Sequence, residues 1–150
     1  MELRFFEIYR SSEYLLLLAE GILTSAALTV SAGITGFVLA ILLASARHHR
    51  WPVLGQLSAT FIEFVRNTPL IVQLFFVAFG LPLLLGYQWA FWAHALLALI
   101  INFSAYFAEI LRSGFLSVPV GQLEAAKTLG IPRFIAFWKI LLPQAVATMY

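Results

Sequence analysis

Hydrophobic and polar positions divide this chain into long apolar stretches separated by short charged ones. Residues 21–46 hold no charged side chain. As a helix they measure about 39 Å, more than the roughly 30 Å of a bilayer's hydrocarbon core. Residues 67–108 are equally free of acids, Lys and Arg, with His94 the one imidazole. A straight helix of that length reaches about 63 Å, so it predicts two crossings with a turn between them. Gly80, Pro82, Gly86, Tyr87, Gln88 and Trp89 mark the turn. Gly and Pro interrupt helices, and Tyr and Trp favour the headgroup level. The expected spans are about 21–46, 67–85 and 90–108. Residues 140–150 are uncharged but too short to cross, and read as the start of a fourth helix.

The segment between the third and fourth apolar runs has a different pattern. Pro119 and Gly121 turn the chain, and residues 122–129 predict a short helix by propensity. Gly130 suits a left-handed C-terminal cap, and Pro132 the first turn of the next helix. Ala125, Ala126 and Gly130 give this short helix a small, smooth surface that can dock in a partner's groove.

Composition supports a bilayer setting. The chain has 150 residues, 62% hydrophobic and 11% charged, where soluble domains carry about 25% charged. Disorder and a secreted disulfide scaffold are excluded, the latter by the absence of cysteine. The apolar run 21–46 is too long for a signal peptide's core, and its basic cluster Arg47, His48, His49, Arg50 follows it rather than precedes it. The net charge of +2, with Lys and Arg scattered, gives no footprint for nucleic acid. Basic residues concentrate between spans one and two and after span three, seven against two in the N-terminal stretch. The positive-inside tendency then places those two segments in the cytoplasm and the N-terminus outside. Residues 1–14, mixing charges with Phe and Tyr, are expected along the outer interface.

Polar and small positions within the spans suggest packing and a path. Span one carries Gly21, Ser25, Thr29 and Gly33 four apart, with Ala32, Gly36, Ala40 and Ala44 beside them. Such faces let helices approach closely, within the chain or against a second subunit. Thr68 and Pro69 read as the cap and first position of span two, with Glu63 and Arg66 spaced to pair just before it. Asn102, Tyr106 and Glu109 share one face of span three, continued by Ser113, and Gln73 in span two can face the same space. Polar groups at such depth either bond between helices or line a solute path. No acid, Lys or Arg lies at mid-span, which argues against a proton- or voltage-driven machine, and His94 reads as an interfacial residue. Catalytic and metal motifs are absent: no G-x-x-x-x-G-K loop, no H-E-x-x-H, no G-x-S-x-G and no Asp.

The short-helix segment carries a resemblance. Glu124, Ala125, Ala126, three residues, Gly130, nine residues, then Ile140-Leu141-Leu142-Pro143 matches the signature loop of ABC importer permeases at every fixed position. Glu63-Phe64-Val65-Arg66-Asn67-Thr68-Pro69-Leu70 with Gln73-Leu74-Phe75-Phe76 resembles the polar amino acid permeases of the histidine and glutamine type. So does Tyr106-Phe107-Ala108-Glu109-Ile110-Leu111-Arg112 leading into Pro119-Val120-Gly121-Gln122. The resemblance implies an all-α, polytopic type I ABC importer permease fold in a bacterial inner membrane. It implies a coupling helix at about 122–129, with Glu124, Ala125, Ala126 and Gly130 at the contact with a cytoplasmic ATPase. It implies a second permease subunit, alike or different, and an extracytoplasmic solute-binding protein. ATP and magnesium would be bound by the partner ATPase, and no cofactor or metal by this chain. Gln73, Asn102, Tyr106 and Glu109 are the candidate substrate path. Family members continue into complete fourth and fifth spans, so the chain reads as the front part of a longer permease. The competing expectations are the same architecture serving another small polar solute, and a membrane scaffold or pore without ATP coupling.

Overall fold

A computed structural model describes residues 12–49 and 51–147. Arg4, Arg10, Arg50, residues 148–150 and most of the expected interfacial stretch 1–14 lie outside the described residues. Every regular element among the described residues is helical. The order is α1 (Ser12–His48), α2 (Leu54–Arg66), α3 (Leu70–Phe75), a π-helical stretch Phe76–Gly80, α4 (Leu81–Leu85) and α5 (Phe91–Ser117). Then follow α6 (Val120–Thr128), α7 (Arg133–Ala136), a second π-helical stretch Phe137–Leu141 and α8 (Leu142–Ala147).

By length and composition, α1 and α5 can each cross a membrane. The pair Leu54–Arg66 and Leu70–Leu85, bent by 105°, makes a third crossing if taken as one span. Both long helices outrun the charge-free windows. Glu is a good helix former, so α1 begins before Glu13 and Glu20 rather than at 21. Likewise α5 continues to Ser117 instead of stopping near 108, because Glu109 and Arg112 pair on one turn. Lack of charge marks the apolar slab, not the helix ends.

The α1–α5 contact is the most extensive in the bundle, and alanine makes it possible. Ala32, Ala40 and Ala44 on α1 and Ala98, Ala105 and Ala108 on α5 are fully buried. A Cβ placed on Gly36 would sit 2.9 Å from the Cβ of Phe103 and 3.2 Å from the backbone nitrogen of Ser104. Of the two small-residue rows read from the sequence, Ala32–Gly36–Ala40–Ala44 therefore packs within the chain. Gly21, Ser25 and Thr29 are exposed. Ile62, Val65, Leu111, Phe115, Leu141 and Ala145 complete the core where α2, α5 and α8 meet.

Two expectations about breaks are corrected. Gly80 and Pro82 do not turn the chain: helix continues through them to Leu85, and the reversal comes at Gly86, whose φ is +69°. The reason is the π-helical stretch, in which the N–H of Leu81 bonds to the carbonyl of Phe76. That wider turn accommodates a proline that lacks a donor and crowds the carbonyl four residues back. The same device recurs before Pro143, where the N–H of Leu142 bonds to the carbonyl of Phe137. At the α2–α3 bend, Pro69 rather than Thr68 is the cap residue, and its carbonyl accepts from the N–H groups of Val72 and Gln73. The Thr68 hydroxyl instead donates to the carbonyl of Phe64, an acceptor in the last turn of α2.

Candidate functional site

The expected docking helix is α6, preceded by an extended residue and closed by a left-handed one. Val118 precedes Pro119 and is extended, as a residue before proline prefers, and this ends α5. Pro119 caps α6, which spans Val120–Thr128 rather than 122–129. Its end is a Schellman motif: the N–H of Ile131 bonds to the carbonyl of Ala126 at 2.9 Å, and that of Gly130 to Lys127 at 3.0 Å. The motif requires a left-handed residue, and Gly130 supplies it with φ +71°. Its demand is conformational, since a Cβ there would meet nothing within 4 Å.

Burial divides the four candidate coupling residues. Ala126 points inward, 2% exposed, while Glu124, Ala125 and Gly130 lie on the surface. Two large apolar side chains are exposed at its two ends, Val120 at 68% and Leu129 at 78%. A side chain–side chain hydrogen bond from Gln144 of α8 to Gln122 ties α6 to the bundle. Behind α6 lies a cavity of about 340 Å³, bordered by Glu124, Lys127 and Ile131 on one side and His48, His49 and Phe137 on the other. His49 and Phe137 stand 5.6 Å apart, and Phe137 also packs on Phe115. These rings form an aromatic floor that links the end of α1 to the region of α6.

The four candidate path residues separate into two pairs. Gln73 is buried and donates to the carbonyls of Val65 and Thr68, 2.8 Å each. It thereby satisfies acceptors released at the end of α2. Its Oε1 accepts from the amide of Asn102, also buried, at 3.4 Å. This pair bridges the bend to α5. Tyr106, 43% exposed, and Glu109 lie farther along α5, where the guanidinium of Arg66 stands 5.8 Å from the Tyr106 ring.

Glu109 is the centre of a charge cluster drawn from three helices. Its Oε2 accepts from Arg47 of α1 at 3.0 Å and lies 3.8 Å from Arg66 of α2. Its Oε1 accepts from Arg112, at 3.0 Å from Nε and 2.5 Å from Nη2. Arg66 is thus directed at Glu109, and among the described residues no ion pair joins it to Glu63. Only the Glu109–Arg112 pair had a signal in the sequence, its three-residue spacing; Arg47 is 62 positions away. His94, read from the sequence as an interfacial residue, is enclosed by its neighbours. It is 4% exposed, stacked on Tyr87 at 5.7 Å, and bonded through Nδ1 to the carbonyl of Ala90. Among the described residues no cluster of three metal-ligating side chains forms.

Residues 36–149, which include α6 and the Glu109 cluster, match the family described as the binding-protein-dependent transport system inner membrane component. The chain belongs to this family. It is 32% identical over 143 residues to a protein of Rickettsia bellii named as a glutamine transport system permease, covering 95% of this chain and 66% of that one. It is 39% identical over 127 residues to the arginine transport system permease protein ArtQ of Bacillus subtilis, covering 84% and 58%. Among solved structures, an amino acid ABC transporter crystallised with histidines superposes with a TM-score of 0.82 at 32% identity, over 99% of this chain and 68% of the other. The all-helical architecture of this inner membrane component is accordingly that of an ABC importer permease. The chain spans about two-thirds or less of the curated relatives' length.

Proposed function

We propose that this chain is the translocation subunit of an ATP-driven importer for a polar amino acid. A partner ATPase docks on α6 in the cytoplasm, and the chain itself performs no catalysis. A second permease subunit completes the path, and an extracytoplasmic binding protein delivers the solute. The observation that carries this reading is α6 itself. It is a short helix with a fixed end, mounted between α5 and α7, presenting Val120, Glu124, Ala125 and Leu129 outward. Exposed apolar side chains on a water-facing helix are accounted for by a groove that covers them. The similarity to permeases named for glutamine and arginine supports the solute class. Because α6 follows the end of α5 that also carries Arg112, the positive-inside tendency puts this end in the cytoplasm and the N-terminus outside.

In this reading Gln73 and Asn102 hold the bend that shapes the path wall, while Tyr106 and Glu109 present its polar surface. The coupling end of α5 is tied through Glu109 to α1 and α2, so a push on α6 moves three helices together.

The test is reconstitution of the chain with its ATPase and binding protein in vesicles, with uptake of glutamine, arginine and histidine measured. ATP-dependent uptake of at least one is expected. Leu129→Glu should abolish binding-protein-stimulated ATP hydrolysis while leaving the helical content unchanged. Full stimulation and undiminished ATPase co-purification in that variant would sink the docking assignment.

A further inference from the structure

Three guanidiniums, Arg47, Arg66 and Arg112, surround a single carboxylate, Glu109. The cluster holds two positive charges beyond what that acid neutralises, and no other acid pairs with these arginines among the described residues. Arg112 spends Nε and Nη2 on Glu109, and Arg47 spends Nη1. Nη1 of Arg112, and Nε and Nη2 of Arg47, make no further hydrogen bond among the described residues.

Arg47 and Arg112 both border a cavity. Arg47, His48, Arg112 and Leu116 line about 330 Å³ between the ends of α1 and α5. Its position suits an amphipathic occupant. Leu116, 70% exposed, stands at its edge. Arg47 also borders an adjoining space of about 290 Å³ with Trp51, itself half exposed. Tryptophan beside arginine at the end of an apolar helix marks the headgroup level. Guanidinium N–H groups match phosphate oxygens in geometry and charge, and basic pockets between membrane helices on this side take anionic headgroups.

We propose that Arg47, His48, Arg112 and Leu116 form a binding site for a phosphate-bearing anion, beside the Glu109 cluster. Its two possible sources, an acidic phospholipid headgroup and free phosphate, share this chemistry and are separable.

The chain, purified in neutral detergent, is titrated with phosphatidylglycerol and phosphatidylcholine and read by native mass spectrometry. In parallel its melting temperature is followed with inorganic phosphate against chloride at matched ionic strength. Phosphatidylglycerol should bind about tenfold more tightly than phosphatidylcholine. Arg112→Gln should erase that preference. Leu116→Glu should do the same by placing a competing carboxylate at the mouth, and it leaves all four residues of the cluster unchanged, so it decides the matter if Arg112→Gln does not fold. Phosphatidylglycerol preference without a phosphate effect assigns the lipid. A rise in melting temperature with phosphate, absent in Leu116→Glu, assigns the free anion. Equal binding of both lipids with no phosphate effect overturns the site, as does a lipid preference untouched by Leu116→Glu.

Discussion

Replacing Gly114 by alanine tests how closely α5 and α8 cross. A Cβ on Gly114 would lie 2.6 Å from the carbonyl oxygen of Ala145, 2.9 Å from its Cα and 3.0 Å from its carbonyl carbon. Carbon atoms pack best at about 3.5–4.0 Å, so α8 must retreat by somewhat under 1 Å. Retreat loosens its contacts from Leu141, Leu142 and Ala145 into the core. Overpacking of this kind costs about 1–3 kcal/mol, and backbone obstacles belong at the upper end. The gain in helix propensity from Gly to Ala returns about 1 kcal/mol. The net loss is about 2 kcal/mol, a fall in melting temperature of about 4–8 °C for a chain of this size. Thermal unfolding in detergent, followed by circular dichroism, measures it. Gly121→Ala is the control: its Cβ meets nothing within 4 Å, so the melting temperature should hold or rise. Ala145→Gly should not rescue Gly114→Ala, since the obstacle is main chain. A Gly114→Ala protein as stable as wild type would refute the close crossing.

Four further outcomes follow from the same geometry. Gly130→Val should destabilise the end of α6 by about 1–2 kcal/mol through its left-handed conformation, with Gly130→Asn milder; equal loss of ATPase stimulation in both would point to bulk instead. Gln73→Leu removes the donor to the Thr68 carbonyl at the bend and should cost about 1–3 kcal/mol, and a double-mutant cycle with Asn102→Leu should show coupling between the two. Glu109→Gln should destabilise more than Arg66→Gln, because it leaves three guanidiniums facing one another, and added salt should narrow the difference. The chain contains no cysteine, so Glu124→Cys gives a single thiol; an impermeant maleimide should label it in inverted vesicles and not in intact cells.

Much of this architecture was legible from local chemistry. Charge-free windows located the apolar helices, and Pro119 with Gly130 bracketed α6 to within two residues, because caps and positive-φ positions are set by neighbouring residues. Local chemistry misled where a second neighbour competed for the same residue. Thr68 satisfied an acceptor in the preceding helix rather than capping the next one, and Gly80 and Pro82 were absorbed by a π-helical turn. The site shows the same division. Glu124, Ala125, Ala126 and Gly130 sit together because they are close in sequence. That Arg47 would reach Glu109 depends on how α1 lies against α5, which spacing does not encode. Nor could spacing reveal that Gln73 would spend its amide on the bend.

The Schellman motif at Gly130 also sets an angular phase. It fixes where α6 stops, as Pro119 fixes where it starts, so the number of residues between them determines which side chains face outward. One inserted residue would rotate everything beyond it by about 100°. Inserted near Gln122, it would swing Leu129 off the outer face and Ala126 out of its buried seat. The loop therefore behaves as a keyed part, in which the number of residues matters as much as their identity.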